Sequence, residues 1–282
     1  MDITYLTFVL GAVVTLLILA RLVNQFLMRE RLTDALTEKD RLATGIALSG
    51  YLFGVMMIII DVLSGEGHND WLKDFLLVGV YGLAGIVFLV FVSVMELRLI
   101  LSAKALDAVR EGNVAAAITV AASYIATSQI IGAVVSGDNT GGNWLTAAIF
   151  FIIGQTTLLI MTYVFRWLTA YNDAEAIMQG NAAAALSYAG VMIGIAIIVG
   201  TALRGDFIDY PTSLVDYVWS LVIVVALYPI RQFLVQGVLL GCGFSFYGGK
   251  LDEEISKDRN IGAGCIEATT YIASALLATA LL

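Results

Sequence analysis

Eight apolar runs, each about twenty residues long, most constrain what this chain can fold into. A helix of that length crosses the hydrocarbon core of a bilayer, which is about 30 Å thick. A helix also satisfies its own backbone hydrogen bonds in lipid. We therefore predict an all-α, polytopic membrane protein with eight transmembrane helices. The predicted helices are Ile3–Phe26, Leu42–Leu63, Leu72–Met95, Val114–Val135, Trp144–Leu168, Ala182–Leu203, Tyr217–Leu240 and Ile261–Leu282.

The composition supports a membrane protein and argues against several functional classes. Hydrophobic residues make up 60% of the chain and charged residues 13%, whereas a soluble domain has about 25% charged residues. The net charge of −8 argues against nucleic-acid binding. The sequence has one histidine, His68, two cysteines without metal-ligand spacing, and no P-loop, Rossmann fingerprint or nucleophile elbow. We predict a protein that is not an enzyme and that holds no metal or cofactor.

The positive charges predict the orientation of the helices. Thirteen of the 15 Lys and Arg residues lie in or beside the connections that follow the odd-numbered helices, and Lys73 and Arg204 are the other two. Positively charged loops stay in the cytoplasm. We predict that these connections face the cytoplasm, where they meet anionic lipid, and that both termini face outward. We expect the first run to be a true span, because Met1 and Asp2 supply no basic segment of a cleaved signal peptide.

A repeated motif marks where the even-numbered helices begin. The stretch 111–118 reads Glu-Gly-Asn-Val-Ala-Ala-Ala-Ile, and the stretch 179–186 is a close copy. Asn is a strong helix N-cap, and Ala is the best helix former. Asn113, Asn181 and Asn260 occupy the cap position in three repeats, and Arg41 occupies it in the most diverged one. The pattern predicts four helical hairpins of the same orientation, which are parallel repeats.

A second feature recurs deeper in each even-numbered helix. Pairs of small residues stand four positions apart, and such pairs let membrane helices approach closely. We predict that these pairs pack the even-numbered helices at the centre of the protein. We also predict two domains, residues 1–140 and 141–282, each with two hairpins. The predicted packing pairs are Gly50 with Gly54, Ala122 with Ala126, Gly190 with Gly194, and Thr269 with Ala273.

The motif resembles that of the bacterial family called "domain of unknown function 350", which includes YjfL-type inner-membrane proteins. The resemblance covers nearly the whole chain, as two copies in tandem, and is most specific in residues 106–137 and 174–205. It implies a multi-pass protein of the bacterial inner membrane. It also implies flotillin-like or PspA-like membrane-stress proteins and polyamine-linked ATP-grasp enzymes as partners. The family name itself assigns no biochemical activity.

Polar groups inside the predicted spans are the candidates for function, because they are costly in lipid. Glu267, Gln129 and Gln155 lie well inside their spans. Each has two interpretations: a side chain that handles protons or cations, or a side chain that only bonds to a neighbouring helix.

The predicted cytoplasmic ends of the helices carry a second set of candidates. Arg21, Arg166 and Arg231 lie near the ends of odd-numbered spans. They either extend to lipid headgroups or pair with the acidic residues that precede each motif. If the four even-numbered helix starts converge, they form a candidate anion site. The residues of that site are Asn113, Asn181, Asn260 and Arg41.

Two functions therefore compete. The first is a non-enzymatic membrane scaffold or assembly partner in a bacterial envelope module, with oligomer formation as one form of assembly. The second is a transporter or channel for a small solute or ion. The surroundings of Glu267 discriminate between them. A water-accessible position beside Gln129 or Gln155 favours transport, and a dry position bonded to a neighbouring helix favours the scaffold.

Overall fold

The computed structural model describes residues 3–64, 71–136, 144–204, 208–243, 245 and 247–281. Within them it contains eight helices long and apolar enough to cross a membrane, which confirms the predicted fold class. The long helices are α1 Ile3–Met28, α2 Leu42–Leu63, α3 Trp71–Ile100, α5 Val114–Ser136, α6 Trp144–Leu168, α8 Ala182–Leu203, α9 Tyr210–Arg231 and α11 Ile261–Leu281. The short helices are α4 Ala105–Arg110, α7 Asp173–Met178 and α10 Lys250–Ser256, with π-helices at Asp34–Glu38 and Gln232–Leu239. His68 and most of the loop predicted between α5 and α6 lie outside the described residues.

The seventh span is longer than the sequence pattern predicts. We predicted a loop up to Asp216, but α9 begins at Tyr210. The Asp209 side chain caps this helix by accepting a hydrogen bond of 2.8 Å from the Thr212 amide. Pro211 stands in the first turn, where a missing backbone N–H costs nothing. The cap and the proline extend the helix through residues that are too polar to be counted as a span.

The same span changes from an α-helix to a π-helix near its C-terminal end. Pro229 lies inside α9, and the backbone continues from Arg231 as the π-helix Gln232–Leu239. A proline in a helix interior removes a backbone hydrogen bond. The wider π turn brings Gln232 and Gln236 into the interior, where both side chains are buried. A π segment of this kind is frequent at functional sites.

The even-numbered spans form the interior as an open row. Helix α2 packs along α5, α5 along α8, and α8 along α11. Helix α3 covers α2 and α5, α6 covers α5 and α8, and α9 covers α8 and α11. The contact between α5 and α8 joins the two halves of the chain into one bundle. The orientation of the bundle in the membrane and the outward placement of the termini stay predictions.

Small residues at matching positions hold the row together. A Cβ atom on Gly50 would overlap Ala121 of α5, and a Cβ atom on Gly190 would overlap Ala268 of α11. Gly54 and Gly194 lie against the backbone oxygens of Tyr124 and Tyr271. These close approaches are what small pairs allow. The pair on α5 is also inside the protein, since Ala122 and Ala126 are buried.

The fourth predicted pair, Thr269 with Ala273, does not pack between helices of this chain. Both residues are exposed on α11. The prediction was wrong for this pair because α11 ends the row. No further helix of the described structure lies beyond it to receive the small residues.

The Asn residues of the motif cap their helices and also join neighbouring repeats. The Oδ1 atom of Asn181 accepts from the Ala184 amide at 3.1 Å, while its Nδ2 atom donates to the Ile255 carbonyl in the last turn of α10 at 2.8 Å. Asn113 makes the same cap and donates to the last carbonyls of α7. Arg41 has no side-chain cap, but it donates to the Arg110 carbonyl at the end of α4. Each repeat is therefore fastened to the short helix of the next one.

Replacing Asn181 with alanine should lower the free energy of unfolding by about 2–4 kcal/mol. Loss of the cap contributes about 1 kcal/mol, and loss of the partner of a buried carbonyl contributes about 1–3 kcal/mol. Thermal unfolding in detergent measures the change. Asn260→Ala is the matched control, because the Asn260 amide bonds to Glu254 of its own repeat. Equal losses in the two variants would contradict a role for Asn181 in joining repeats.

Candidate functional site

A buried cluster of charged side chains lies between α9, α10 and α11. The Arg231 Nε atom is 2.5 Å from Glu267 Oε1, and its Nη2 atom is 2.9 Å from Asp252 Oδ1. The side chains of Arg231, Asp252 and Glu267 are 2%, 4% and 1% exposed. One guanidinium thus neutralises one carboxylate and shares its charge with a second. Charges this deep are stable only when paired and hydrogen-bonded.

Three segments bring these groups together. Arg231 is the last residue of α9, immediately before the π-helix, and Glu267 lies nearly two turns into α11. Asp252 comes from α10, which folds back into the protein because Leu251 and Ile255 are buried in the core. The second oxygen of Asp252 accepts from the Ala170 amide at 3.3 Å. The cluster therefore ties α9, α10 and α11 to the connection that follows α6.

The arginines near the helix ends do not behave alike. Arg231 does not extend to headgroups, because it pairs with Asp252, the acidic residue that precedes the last motif. Arg166 lies 4.0 Å from Asp173, the acidic residue that precedes the third motif. Arg21 is exposed. The structure thus shows acidic pairing for Arg166 and Arg231 in the second half of the chain.

Glu96 forms a second buried acidic site, although its place at the end of the third predicted span suggests a contact with headgroups. The residue is 4% exposed, and its Oε2 atom accepts from the hydroxyls of Ser123 at 2.7 Å and Thr127 at 3.3 Å on α5. Its Oε1 atom has no hydrogen-bond partner among the described residues. The spacing of Glu96 from Ser93 is the sequence feature that predicts an inward-facing polar side. Both side chains are buried and lie one helical turn apart on α3.

An ion pair joins α2, α5 and α8 at the helix ends that lie farthest from the cap positions. Asp61 of α2 accepts two hydrogen bonds from the guanidinium of Arg204, at 2.6 and 3.0 Å, and Arg204 follows α8 directly. The Asp61 carboxylate lies against Gly132 of α5, where any side chain would displace it. Asp61 is only 5% exposed, although its place near a span end suggested contact with water.

A family model matches the chain twice, over residues 2–135 and 139–282. This chain belongs to the family described as Domain of Unknown Function (DUF350). It is 22% identical over 253 residues to a "UPF0719 transmembrane protein" of Aquifex aeolicus (strain VF5), with 86% of each chain covered. No solved structure matches it. The resemblance seen in the sequence is confirmed, and the chain is a multi-pass integral membrane protein.

Of the three polar residues singled out within the spans of this DUF350 protein, Glu267 lies on a helix that does not pack along the helices of the two glutamines. Glu267 lies on α11, which packs against α8, α9, α10 and the second π-helix. Gln129 is half-buried on α5, with its backbone against Gly200 of α8. Gln155 is half-buried on α6, and its buried amide nitrogen and oxygen have no hydrogen-bond partner in the described residues. Of the three, only Glu267 belongs to the charged cluster.

The four predicted caps do not surround a common point. Their helices stand in a row, so the starts of α2 and α11 lie at its two ends. Their side-chain donors already bind protein oxygens, such as the Arg110 carbonyl for Arg41 and the Glu254 carboxylate for Asn260. The convergence that a shared anion site requires is therefore not observed. In addition, no cluster of His, Cys, Asp or Glu suited to a metal occurs among the described residues.

Asp173 lies outside the spans and titrates near neutral pH. Burial raises the pKa of its carboxyl to about 7, although the Thr169 hydroxyl and the Arg166 guanidinium act to lower it. The charge of Glu267 raises this pKa further. In the unfolded chain an Asp has a pKa near 3.9. The folded state therefore binds a proton that the unfolded state has lost between about pH 4 and pH 7.

The stability of the protein should fall as the pH rises through this interval, by a few kcal/mol at most. The stability that protonated Asp173 contributes is present below its unfolded pKa and is lost as the pH passes its folded pKa. Asp173→Asn should remove this dependence. Between pH 5 and pH 8 the free energy of unfolding of the variant should therefore rise relative to that of the parent protein. Thermal melting at several pH values measures the gain. Glu175→Gln, on the exposed side of α7, is the control and should leave the pH dependence unchanged.

Proposed function

We propose that this protein is a non-enzymatic scaffold of the bacterial inner membrane, which holds other components of an envelope module in place. The observation that carries the proposal is the state of Glu267. It is dry, at 1% exposure, and it is bonded to Arg231 on the neighbouring helix. A carboxylate that carried protons or cations would have to exchange its partner, whereas the buried Arg231 guanidinium holds the Glu267 Oε1 atom.

The remaining charges support the same function. Asp61 binds Arg204 across three helices, and Arg41 pairs with Glu30 while it holds the Arg110 carbonyl. These contacts fasten the repeats to one another at both ends of the central helices. A bundle whose buried charges are held in internal contacts is suited to binding other membrane components rather than to cycling between open states.

Purification from native membrane followed by identification of stoichiometric partners tests the scaffold. We expect membrane-associated partners, with flotillin-like and PspA-like proteins as the first candidates to be examined. The same preparation, reconstituted into vesicles, should show no solute or ion flux that depends on Glu267. A flux that Glu267→Gln abolishes, and that the surface control Glu253→Gln preserves, would exclude the proposal.

One observation favours a second function, which is the transport of protons or small cations. Glu96 receives only hydroxyl donors, and the described residues include no salt bridge to it. A buried carboxylate without a cationic partner must take up a proton or a cation to be stable. Ser123 and Thr127 would then act as ligands or as proton donors to the same oxygen.

Proton flux into vesicles separates this function from the first. Transport through Glu96 predicts flux in the parent protein, its loss in Glu96→Gln, and its retention in Gln155→Leu if the path follows α3 and α5 alone. Equal background flux in the parent protein and in Glu96→Gln would exclude the second function and leave Glu96 as a structural hydrogen-bond acceptor.

A further inference from the structure

Each central helix uses one side to contact the next central helix of the row. The forward face consists of the residues two, nine and thirteen positions after the cap position. The backward face consists of the residues four, eight, eleven and fifteen positions after it. Gly50, on the forward face of α2, lies against Ala121 on the backward face of α5. Gly190, on the forward face of α8, lies against Ala268 on the backward face of α11. Two helix pairs thus share one register.

The forward face is covered on every central helix except the last. All its residues on α2, α5 and α8 are buried, whereas all those on α11 are exposed. The forward faces are Ala43, Gly50 and Gly54 on α2, Ala115, Ala122 and Ala126 on α5, Ala183, Gly190 and Gly194 on α8, and Gly262, Thr269 and Ala273 on α11.

The backward face shows the opposite pattern, because it is least covered on the first central helix, where Ser49 is exposed and Gly45, Leu52 and Met56 are half-buried. It is buried throughout on α5 and α8 and nearly so on α11, but none of its residues on α2 is buried. The backward faces are Gly45, Ser49, Leu52 and Met56 on α2, Ala117, Ala121, Tyr124 and Ser128 on α5, Ala185, Ala189, Met192 and Ala196 on α8, and Gly264, Ala268, Tyr271 and Ala275 on α11.

The caps follow the same direction along the row. The amides of Asn113 and Asn181 donate to carbonyls at the end of the short helix in the next repeat. The amide of Asn260, in the last repeat, donates to Glu254 of its own repeat at 3.0 Å. The forward contact of the fourth repeat is therefore incomplete at the cap as well as on the helix face.

The chemistry of the open face on α11 differs from that of the lipid-facing helices. Helix α3 exposes large apolar side chains, including Val87, Phe88 and Phe91, which lipid tails cover well. Helix α11 exposes Gly262, Thr269 and Ala273 along the middle of this face, and the larger side chains of Ile266 and Leu276 border it. Small residues favour close contact with another helix backbone, and they offer lipid little apolar area.

We propose that a second copy of this chain covers the open forward face of α11 with the open backward face of its own α2. The contact continues the register that joins the four repeats within one copy. Thr269 of one copy then takes the place that Gly50 and Gly190 have, and it meets Ser49 of the next copy. At the cap, Asn260 is released from Glu254 and donates to a carbonyl at the end of the π-helix Asp34–Glu38 of that copy.

This contact joins two different faces, so it is heterologous. A heterologous contact produces a closed ring if the rotation between copies closes, and an open array if it does not. Both forms expose identical surfaces of many copies to one side of the membrane. The inference rests on the repeat contacts alone and does not depend on the proposed scaffold function.

Cysteine cross-linking of the full-length protein in its native membrane tests the contact. The parent for the test carries Cys242→Ser and Cys265→Ser, since both natural cysteines are exposed. Addition of Ser49→Cys and Thr269→Cys to one chain should produce, on oxidation, a ladder of dimers, trimers and larger species. A mixture of chains that carry one or the other substitution should stop at dimers.

A matched control replaces Thr269→Cys with Phe91→Cys. Phe91 is 60% exposed and lies at a similar distance from the predicted cytoplasmic end of its helix. This control paired with Ser49→Cys should give no ladder. A ladder of equal strength in the control, the absence of cross-links in the test pair, or efficient dimers from Thr269→Cys alone would overturn the proposal.

A bulky substitution gives an independent measurement. Ala273→Trp should reduce the size of the complex in mild detergent to that of a single copy, while its melting temperature in strong detergent stays that of the parent, because Ala273 is exposed in one copy. Val87→Trp, on the lipid-facing side of α3, should leave the size unchanged. A complex of unaltered size in Ala273→Trp would contradict the contact.

Discussion

Replacing Arg231 with methionine should lower the free energy of unfolding by about 3–5 kcal/mol, the cost of breaking a buried ion pair by removing one partner. The variant leaves the Glu267 and Asp252 carboxylates inside the protein with no guanidinium between them. Each carboxylate must then take up a proton or remain charged in an apolar site. Thermal unfolding in detergent, or unfolding by a denaturing detergent, measures the loss.

The combined variant Arg231→Met, Glu267→Leu, Asp252→Asn separates charge from packing. Replacing a whole buried ion pair by apolar groups of similar volume is often neutral or stabilising. We therefore expect the combined variant to recover most of the stability that Arg231→Met loses. If it is no more stable than the single variant, packing of the arginine stem rather than its charge accounts for the loss.

Replacing Gly190 with alanine should lower the free energy of unfolding by about 1–3 kcal/mol, which is the usual cost of overpacking. The added methyl group would overlap the backbone of Ala268, which cannot move aside as a flexible side chain does. The loss should appear even though alanine favours a helix over glycine by about 1 kcal/mol. Thermal unfolding measures it, and the separation of α8 and α11 should increase.

Gly79→Ala is the matched control for this prediction. A Cβ atom at Gly79 of α3 would meet nothing within 4 Å. The variant should therefore be as stable as the parent or more stable by up to about 1 kcal/mol, through helix propensity alone. A loss at Gly79 as large as the loss at Gly190 would show that backbone freedom, rather than close helix contact, explains both glycines.

The sequence predicts the helices well because bilayer thickness and caps act locally. The start of α8 at Ala182 follows from Asn181, and the start of α2 at Leu42 follows from the charged residues before it. The beginning of α9 was placed seven residues too late, because Tyr217 is the first residue of its strongly apolar part. Hydropathy recognises lipid-facing residues, whereas a cap can extend a helix through polar ones.

The candidate site was predicted only in part, because burial depends on contacts between distant segments. Glu267 was visible as an acid within a span, but its partner Arg231 resembled an ordinary arginine near a helix end. Pairing of Arg231 with Asp252 was one of two predicted alternatives, but only the fold of α10 shows that this pair also contacts Glu267. The burial of Glu96 was not predicted, because its position near a helix end suggests contact with headgroups. In the structure its side chain points inward and accepts a hydrogen bond from Ser123.

The charged cluster also bears on how the protein is made. Arg231 leaves the ribosome before Asp252 and Glu267, because synthesis proceeds from the N-terminus. When α9 reaches the insertion machinery, its guanidinium has no counter-charge to accompany it into lipid, and an unpaired arginine there is costly. Until Asp252 and Glu267 follow, the seventh span carries this arginine without either of its carboxylate partners. A chain that ended before α11 would keep Asp252 but lack Glu267, so the Arg231 guanidinium would lose one of its two carboxylate partners.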